Sequence, residues 1–400
     1  MKNSTEKSGL RTWMEIDTKA LAHNYKVVRE FIPASCKLMS VAKSNAYGHS
    51  LIDFSLEMQK LGTDWVGVDS IIEAIAIRKA GVTVPIFVLG YTLPEMLATA
   101  VEMDISIAVS TFETLEAIAE QASVFAQNSQ GSQGSQKIKV HIKVDTGMHR
   151  QGFQEGEMSR LIDELKRLTS LADKDDKSAK IIIEGLFTHF AAAKNPAFPA
   201  DTLAQIALFE KWVSAFTKAG FNPIKHACAS GGTFLFPQAH FDMVRVGIAL
   251  YGLYPSRETQ LFMKDKITLK PALSWKTILG EVKKVSRGGK VGYDFTETLQ
   301  RDTVMGICPI GYWHGFPRNL SSIGYVIVRG KKARVVGRVS MDMINVDLTD
   351  IGEVKVGDEV TLIGQDGEEV VSVEDIASAV ANSSYEVITR LNPLIKRIYV

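Results

Sequence analysis

Short apolar runs alternate with amphipathic helical segments from Lys37 to about Leu253. Such alternation is typical of strands buried on both faces and of helices that cover them. The runs are Leu38–Lys43, Trp65–Val68, Ile86–Leu89, Ile105–Val109, Ile138–Val144, Ile181–Phe187, Lys225–Cys228 and Met243–Leu250. About eight repeats of strand and helix are what a closed parallel barrel requires, and an open doubly wound sheet is the alternative that periodicity leaves open.

The pattern changes after Leu253. From Ser274 onward most apolar stretches have the length of strands and are separated by glycine turns. Only Val373–Arg390 has helical spacing, and Ile395–Val400 closes the chain as a strand. We therefore predict an α/β chain with a (β/α)8 TIM-like barrel at residues 13–255 and a mostly β C-terminal domain at residues 256–400. The boundary is expected near Pro255–Pro271, and residues 1–12 are a candidate to pack on the β domain.

Two polar segments interrupt the barrel pattern and are predicted to be surface insertions. Residues 128–136 read Asn-Ser-Gln-Gly-Ser-Gln-Gly-Ser-Gln, and burial of such side chains cannot offset the entropy of ordering them. Residues 173–180 form a charged connector of the same kind. Neither segment carries a visible function.

Composition and charge exclude several classes of function. Lys and Arg number 46 against 45 Asp and Glu, so the formal charge of +1 indicates no general affinity for nucleic acid or for an anionic membrane. The first ten residues lack the apolar core of a signal peptide, and no apolar run is long enough to span a bilayer. Cys36, Cys228 and Cys308 are far apart and form no metal-ligand pattern. We expect a cytoplasmic protein without a metal.

A lysine at the end of the first predicted strand is the candidate catalytic residue. Lys43 lies in the run Val-Ala-Lys-Ser-Asn-Ala-Tyr-Gly-His, between a buried strand and a helix. Catalytic groups of (β/α) barrels collect at this end of the strands, although a lone lysine is more often a solvated surface charge. Gly48 lets the backbone turn and Tyr47 brings a hydroxyl to the same loop. A desolvated lysine beside a hydroxyl suits a Schiff base with a phosphate-bearing cofactor.

Polar residues also follow the later barrel strands. The segment Lys143–Arg150 follows the fifth strand, His189 the sixth and Ser230-Gly231-Gly232 the seventh, while Arg245 lies in the eighth. Each of these residues alone is weak evidence of a site, because a histidine after a strand is more often a core residue whose hydrogen bonds are satisfied. A serine before two glycines is either an ordinary turn or a phosphate site made of backbone N–H groups. Their joint placement at strand ends favours a functional role.

Three motifs together resemble the bacterial alanine racemases, a family of pyridoxal 5′-phosphate (PLP) enzymes. They are the Lys43 motif, Val144-Asp145-Thr146-Gly147-Met148 and Gly337-Arg338-Val339-Ser340-Met341-Asp342. The similarity runs from about Trp13 to Tyr399. It implies interconversion of L-alanine and D-alanine, a supply of D-alanine for peptidoglycan, PLP as cofactor, and a homodimer with shared active sites.

The resemblance also implies a role for each matching residue. Lys43 matches the lysine that binds PLP and exchanges protons with the D-side of the substrate, and Tyr293 matches the second acid-base, contributed by the other subunit. Lys143 matches a lysine that many relatives carry carbamylated and that orients Arg150. Tyr47, Ser230, Gly247 and Ile248 match the positions that bind the cofactor phosphate. His189 matches the histidine packed on the cofactor ring, Arg245 the arginine at the pyridine nitrogen, and Arg150 the arginine near the phenolic oxygen and the substrate carboxylate. Met341 and Asp342 match residues that approach the pocket from the partner subunit.

These residue types suit racemisation. A proton must leave one face of the substrate Cα and another must arrive on the opposite face, which one base cannot easily serve. Lys43 and Tyr293 would bracket the Cα. An arginine at the pyridine nitrogen is always protonated and disfavours a protonated ring, which should limit side reactions such as transamination.

The chain departs from the family pattern at several positions. Ala229 replaces a common Asn, and Trp313 and His314 replace the smaller residues of Gly-Tyr-Ala-Asp-Gly. Asp294 replaces a frequent Gly and Ser340 a common Cys. Arg390-Leu391-Asn392-Pro393 also lacks a tyrosine that some relatives carry. These changes bear on substrate entry and turnover but remove no proton-transfer residue, and we expect most of them to act on packing.

Three alternatives remain open at this stage. The first is a serine or broad-specificity racemase of the same fold, whose members often carry a transmembrane region or an export signal. The second is a non-catalytic PLP-binding barrel, which would not need a β domain with Tyr293. The third is a PLP decarboxylase of related fold, which would need neither Tyr293 nor Arg245.

Overall fold

The computed structural model describes residues 7–128, 136–174 and 180–400. Contacts divide the chain into two compact units: a barrel unit of Ala22–Ala46 and Leu51–Lys270, and a β unit of the residues up to Leu21, Tyr47–Ser50 and Pro271–Val400. Most of the predicted insertion at 128–136 and of the connector at 173–180 lies outside the described residues, so both stay predictions.

The strands and helices are numbered separately in chain order. The strands are β1 (Thr12–Ile16), β2 (Lys37–Val41), β3 (Trp65–Val68), β4 (Ile86–Val88), β5 (Ile105–Val109), β6 (Lys137–Lys143), β7 (Lys180–Phe187), β8 (Ile224–His226), β9 (Met243–Val246), β10 (Leu273–Ile278), β11 (Glu281–Val285), β12 (Lys290–Val291), β13 (Glu297–Thr298), β14 (Thr303–Cys308), β15 (Tyr325–Val328), β16 (Lys331–Val336), β17 (Ile344–Asp347), β18 (Glu359–Asp366), β19 (Glu369–Val371) and β20 (Arg397–Tyr399). The α-helices are α1 (Thr18–Phe31), α2 (Leu51–Leu61), α3 (Ile71–Lys79), α4 (Leu97–Glu102), α5 (Phe112–Asn128), α6 (Met158–Lys174), α7 (Ala200–Lys218), α8 (Ser230–Leu235), α9 (Arg257–Met263), α10 (Val373–Ala379) and α11 (Ser384–Thr389). Short 3-10 turns lie at Pro94–Met96, Glu155–Glu157, Pro237–Ala239, Tyr293–Phe295, Tyr312–His314 and Arg318–Leu320.

The barrel unit is built on a parallel sheet of eight strands in the order β8-β7-β6-β5-β4-β3-β2-β9. Its two end strands are joined by hydrogen bonds from Asp242 N to Lys225 O (3.0 Å) and from Arg245 N to Cys228 O (2.9 Å). The sheet is therefore a nearly closed barrel, and each predicted apolar run overlaps one of its strands. The predicted (β/α)8 TIM-like fold is confirmed, and the open doubly wound sheet is excluded because the strand order never reverses.

The barrel sheet is buried on both of its surfaces. Strands β3 and β5 are buried at every position, as expected for strands between a barrel interior and a layer of helices. On α6 the buried stripe recurs at Leu161, Leu165 and Leu168, which is the spacing of one helix face. This core holds the carboxyl ends of the strands, where the candidate residues lie, in fixed positions.

The β unit has a long, mostly antiparallel sheet in the order β11-β14-β17-β16-β15-β18-β10-β1-β20, with β19 paired to β18. This confirms the predicted β domain. The single helix predicted at Val373–Arg390 is instead two helices, α10 and α11. The break comes at Ala381, which has a left-handed φ of 53°, and Ser383 then caps the new helix by accepting a hydrogen bond from Glu386 N.

The structure divides the chain at other points than the sequence suggested. Strand β1 pairs antiparallel with β10 and parallel with β20, so residues 13–21 belong to the β unit and not to the barrel. The barrel unit extends to Lys270, at the far end of the predicted boundary near Pro255–Pro271. Pairing with strands so distant along the chain leaves no local signal in the sequence. No described helix has the length and apolar character needed to cross a membrane.

Candidate active site

Lys43 opens a strained turn at the carboxyl end of β2. The next four residues, Ser44 to Tyr47, have φ values of 56°, 55°, 51° and 51°, which makes one turn of left-handed helix from residues with side chains. This conformation costs roughly 1–2 kcal/mol per residue and persists only where surrounding contacts enforce it. Strain of this kind is typical of functional sites, and it fixes where the lysine leaves the strand.

Glu73, in the first turn of α3, enforces that turn. Its Oε1 accepts a hydrogen bond from Ser44 N (2.8 Å) and its Oε2 accepts one from Asp69 N (2.8 Å). Ser70 and Glu73 also form a reciprocal capping box at the start of the helix. Glu73 is not among the residues predicted from the sequence, although Ser70-x-x-Glu73 ahead of an apolar run is the pattern of a capping box. The Lys43 amine lies 3.4 Å from Asp69 Oδ1 in the same loop.

Positive charges are concentrated around His189 and Lys143. Burial, and then the charges of Arg150, Arg245 and Lys43, lower the pKa of Lys143 from 10.5 to about 8. Burial, followed by the same arginines and both lysines, holds the pKa of His189 well below its usual value. Side chains that repel one another in this way are stabilised by an anionic ligand. Lys43, Lys143, Arg150, His189 and Arg245 are therefore close together.

Arg245 is the most deeply placed of these cations, with 2% of its surface exposed. Its Nη2 donates to Thr188 O (2.7 Å), Ala227 O (3.0 Å) and His189 Nδ1 (3.2 Å). Because a guanidinium only donates, Nδ1 of His189 accepts and the proton of this neutral ring lies on Nε2. Burial lowers the pKa of Arg245 to about 10, so the guanidinium is charged at neutral pH.

The Ser230 turn has the build of an anion site. Ser230 begins α8, and its Oγ accepts hydrogen bonds from Gly247 N (3.1 Å) and Ala249 N (3.5 Å). A Cβ on Gly231 would lie 2.2 Å from Ala193 O, so only glycine permits this approach of two backbones. These bonds bring Gly247 and Ala249 to Ser230, and Ile248 between them is buried, so the phosphate role of Ser230, Gly247 and Ile248 stays a prediction.

Lys143 and Arg150 are not joined directly. Lys143 Nζ donates to Gln151 Oε1 (2.9 Å), and Arg150 is exposed. Asp145 binds the backbone N–H groups of Gly147 and Met148 and so shapes the loop that carries the arginine. Gln151 is not among the predicted residues, because no motif in the sequence distinguishes it from other surface glutamines.

The other predicted site residues belong to the β unit. Tyr47 packs on Tyr385, with ring centroids 6.1 Å apart. Tyr293 is 70% exposed and Met341 is 54% exposed. Asp342 is exposed as well.

The predicted residues of the β unit lie on neighbouring loops. Tyr312 N and Trp313 N donate to Ser340 O and Met341 O, both at 3.0 Å. Arg338 pairs with Asp294, next to Tyr293, at 2.9 Å. These bonds group Tyr293, Trp313, Met341, Asp342 and their exposed apolar neighbours Phe295 and Met343, a surface that we name the phenol edge.

The departure at His314 has a structural explanation, whereas nothing in the structure accounts for the exposed side chain of Trp313. His314 is buried, and its Nδ1 accepts a hydrogen bond from Gly311 N (3.2 Å). Asn392 binds the same loop, through its Nδ2 to Trp313 O (3.0 Å) and its N–H to His314 O (3.2 Å). Asn392 stands in the segment that lacks the tyrosine of some relatives. Among the described residues, no group of His, Cys, Asp and Glu is arranged to hold a metal.

Glu73→Ala should loosen the turn that carries Lys43. Losing two charge-assisted hydrogen bonds to backbone N–H groups should lower the free energy of unfolding by about 2–4 kcal/mol. The rate of any reaction that uses Lys43 should fall with it, because the lysine is no longer held in place. Urea unfolding and steady-state kinetics measure the two effects. Glu30→Ala, which removes a surface carboxylate paired with Lys26, is the control. Equal behaviour of the two variants would show that Glu73 does not hold the turn.

Proteins of similar sequence belong to the family that the sequence motifs indicate. Sequence profiles of the alanine racemase N-terminal domain and C-terminal domain match residues 16–255 and 272–399. The chain is 36% identical over 393 residues to the alanine racemase of Symbiobacterium thermophilum, covering 98% of both chains. It is 36% identical to that of Methanococcus maripaludis, covering 97% of this chain and 98% of the relative.

Solved structures of alanine racemases are also similar to this chain. The alanine racemase of Clostridium difficile 630 superposes with a TM-score of 0.87 at 33% identity, covering 98% of this chain and 96% of that one. The alanine racemase of Bacillus anthracis, solved with bound L-Ala-P, gives a TM-score of 0.85 at 32% identity, with coverage of 98% and 95%. Since both domains and nearly the whole length match, the chain belongs to the alanine racemase family of enzymes.

Proposed function

We propose that the protein interconverts L-alanine and D-alanine with PLP as cofactor, using Lys43 of one subunit and Tyr293 of a second copy as its two bases. The observation that carries the proposal is the position of Lys43, on a clamped left-handed turn in electrostatic range of Lys143 and His189, which the charges of Arg150 and Arg245 also reach. Family membership supports alanine over serine, because the matching relatives are named alanine racemases. Supply of D-alanine for peptidoglycan and a cytoplasmic location are part of the proposal, the latter resting on the three separate cysteines.

The residues of the barrel unit fit PLP. The Ser230 turn and its backbone N–H groups suit a phosphate, and the surrounding cations suit a phosphate together with a substrate carboxylate. Within the described residues, the hydrogen bonds of Arg245 are made by Nη1 and Nη2, which leaves Nε–H to donate to a ring nitrogen. When bound, PLP supplies the electron withdrawal that acidifies the substrate's Cα hydrogen.

The protein's own groups decide where the acidified proton goes. Lys43 Nζ binds the cofactor and moves the proton on the D-side of the substrate. Arg245 cannot accept a proton, so it keeps the ring nitrogen unprotonated and disfavours transamination. His189, neutral and with its tautomer fixed, presents a ring face without adding another charge. Tyr47 is proposed to complete the phosphate site, and Arg150 to hold the substrate carboxylate.

The second base is proposed to come from another copy of the chain. Tyr293 lies on the phenol edge, where Phe295, Trp313, Met341 and Met343 are each more than half exposed. An apolar patch of this kind is typical of a surface that is covered by a partner. A homodimer would place Tyr293, Met341 and Asp342 of one copy at the Lys43 site of the other.

Lys143 is proposed to carry a carbamate. At a pKa of about 8, roughly a tenth of its amines are neutral at pH 7, and this share rises with pH. The neutral Nζ adds to the carbon of carbon dioxide, an N–C bond forms, and a proton passes to solvent. The resulting anion would reduce the repulsion among Lys43, Arg150 and Arg245.

The loaded enzyme should racemise L-alanine faster than any other member of a panel of L-amino acids. Borohydride should trap PLP as a stable adduct that peptide mapping places on Lys43. Lys43→Ala should lower racemisation by roughly a hundredfold or more, because it removes both the attachment point and a base. Lys211→Ala, a surface lysine paired with Glu155, is the control. A preference for serine, or an adduct on another lysine, would refute the corresponding assignment.

Tyr293→Phe should disable one proton transfer and spare the other. The ring is kept, so the loss reports on the hydroxyl, and racemisation should fall roughly a hundredfold to ten-thousandfold. In deuterated water the variant should still exchange the Cα hydrogen of D-alanine, while exchange of L-alanine should nearly stop. Equal residual exchange from both enantiomers would rule out two bases.

The same variants test the shared site. Mixing Lys43→Ala protein with Tyr293→Phe protein should restore part of the activity, because a hybrid dimer carries one intact site. Full activity in a verified monomer would contradict the shared site.

Labelled bicarbonate tests the carbamate. A 13C resonance of a carbamate should appear in the wild-type protein and be absent from Lys143→Gln. At fixed dissolved carbon dioxide the signal should grow from about pH 6 to about pH 8, because the neutral fraction of an amine with this lowered pKa grows. Lys139→Gln, on the same strand but paired with Asp104, should keep the signal. A signal that survives Lys143→Gln would place the carbamate elsewhere.

A further inference from the structure

A chain of hydrogen-bonded side chains crosses the interior of the barrel behind Arg245. Arg245 Nη1 lies 2.9 Å from His226 Nδ1, and His226 Nε2 lies 2.9 Å from His141 Nδ1. His141 Nε2 lies 3.3 Å from Glu184 Oε2, which also accepts from Ser106 Oγ at 2.5 Å. The chain links strands β9, β8, β6, β7 and β5 in that order. No step of the proposed reaction uses it.

The direction of every hydrogen bond in this chain is fixed. Arginine has only donors, so Nδ1 of His226 accepts and its proton lies on Nε2. That proton is donated to Nδ1 of His141, whose own proton then lies on Nε2 and faces Glu184. Burial lowers the pKa of both imidazoles, which keeps them neutral. All donors therefore point from the arginine towards the carboxylate.

The barrel interior is shaped around the two histidines, both of which have no exposed surface. A Cβ on Gly185 would lie 2.1 Å from His141 Nδ1, so the absence of a side chain there makes room for the ring. Phe87 stacks on His141 at 4.2 Å, and Phe187 stacks on His226 at 4.9 Å with the rings 2° from parallel. Barrel interiors are usually filled by branched apolar side chains, and buried imidazoles are costly unless fully hydrogen-bonded.

Arg245 lacks a direct counterion. Its hydrogen bonds within the described residues go to three carbonyl oxygens and two imidazole nitrogens, and none goes to a carboxylate. The hydrogen-bond chain leads instead to Glu184, whose side chain is 20% exposed. Hydrogen bonds in series polarise one another, so a carboxylate at the end strengthens each bond before it.

We propose that Glu184 is a positioning residue for Arg245: acting through His141 and His226, its carboxylate supplies the countercharge that holds the guanidinium where a donor to the cofactor's ring nitrogen is needed. The contact of Arg245 with the cofactor rests on the proposed function, whereas the series of hydrogen bonds from Arg245 to Glu184 does not. Glu184 touches neither cofactor nor substrate, and its effect passes through two neutral rings.

Nuclear magnetic resonance of the cofactor-free protein with 15N-labelled histidine tests the chain itself. In the wild type, His141 and His226 should both show a protonated Nε2 and an unprotonated Nδ1. Glu184→Gln keeps an acceptor but removes the charge, so the Nε2 proton of His141 should move upfield and exchange faster with solvent. The Nε2 proton of His226 should move in the same direction by a smaller amount, because it is polarised by the carboxylate only through the His141 ring.

Ser106→Ala should give the opposite shift. Glu184 Oε2 is shared between Ser106 and His141, so losing the hydroxyl leaves a stronger acceptor for the imidazole. Asp104→Asn is the matched control. It removes a carboxylate paired with Lys139, two residues from His141 along β6, and should leave both histidine signals unchanged.

Kinetics of the loaded enzyme test the effect on Arg245. Glu184→Gln should lower kcat by roughly tenfold or more, the scale on which outer hydrogen-bond partners act, and leave KM within about twofold. Conversion of the cofactor by transamination should become more frequent per turnover. In a His141→Phe background, Glu184→Gln should have no further effect, because the path between the two ends is already cut.

The outcomes separate the two parts of the inference. Unshifted His226 signals in Glu184→Gln would overturn the hydrogen-bond chain, and Ser106→Ala applies the same test if that variant does not fold. Shifted signals with unchanged kcat would overturn the positioning role while the racemase proposal stands. Shifted signals in a protein that racemises no amino acid would support the chain but overturn the proposed function and, with it, the cofactor half of this inference.

Discussion

Burial of the Arg245 guanidinium is the constraint on which the rest of the site depends. A buried cation that only donates hydrogen bonds forces every neighbour to accept, and this fixes the tautomers of His189 and His226. Their own burial, and then the charges of Arg245 and its neighbours, lower the pKa of the surrounding basic groups, so that the imidazoles stay neutral and Lys143 approaches neutrality. The site therefore contains one fully charged guanidinium and several basic groups whose pKa values are lowered. This arrangement favours a doubly charged phosphate and a carboxylate as ligands.

Such a site is unstable by itself, and the barrel compensates for it. The left-handed turn after Lys43 and the mutual repulsion of the cations both oppose folding. They are offset by a closed parallel sheet buried on both faces and by local devices such as the Glu73 clamp. Glu73 does two tasks with one carboxylate, since it caps α3 and fastens the turn that carries the lysine. A change at this residue therefore affects stability and lysine placement together.

The sequence predicted the parts of the structure that are local. Period and run length located the barrel strands, and the residues at their carboxyl ends met because parallel strands bring those ends to one edge. It could not predict partners that meet across the fold. Strand β1 pairs with β10 and β20, which lie far along the chain. The hydrogen bond between His141 and His226 joins strands that are not adjacent in the sheet. His141 reads in sequence as one polar residue in an apolar strand, and only Gly185 beside it shows that the barrel was shaped for the ring.

Under the proposed mechanism, each of the two units supplies only some of the groups that the reaction needs. The barrel unit holds the cations and the lysine but offers only one of the two bases that racemisation needs. The β unit holds the phenol edge, where large apolar side chains face solvent around Tyr293. Exposed apolar area favours association, and association is what would supply the missing base. The same burial that stabilises a dimer would then also exclude water from the reacting groups. Under this mechanism a monomer would lack the second proton donor and would leave Lys43, whose side chain is 39% exposed, in contact with water.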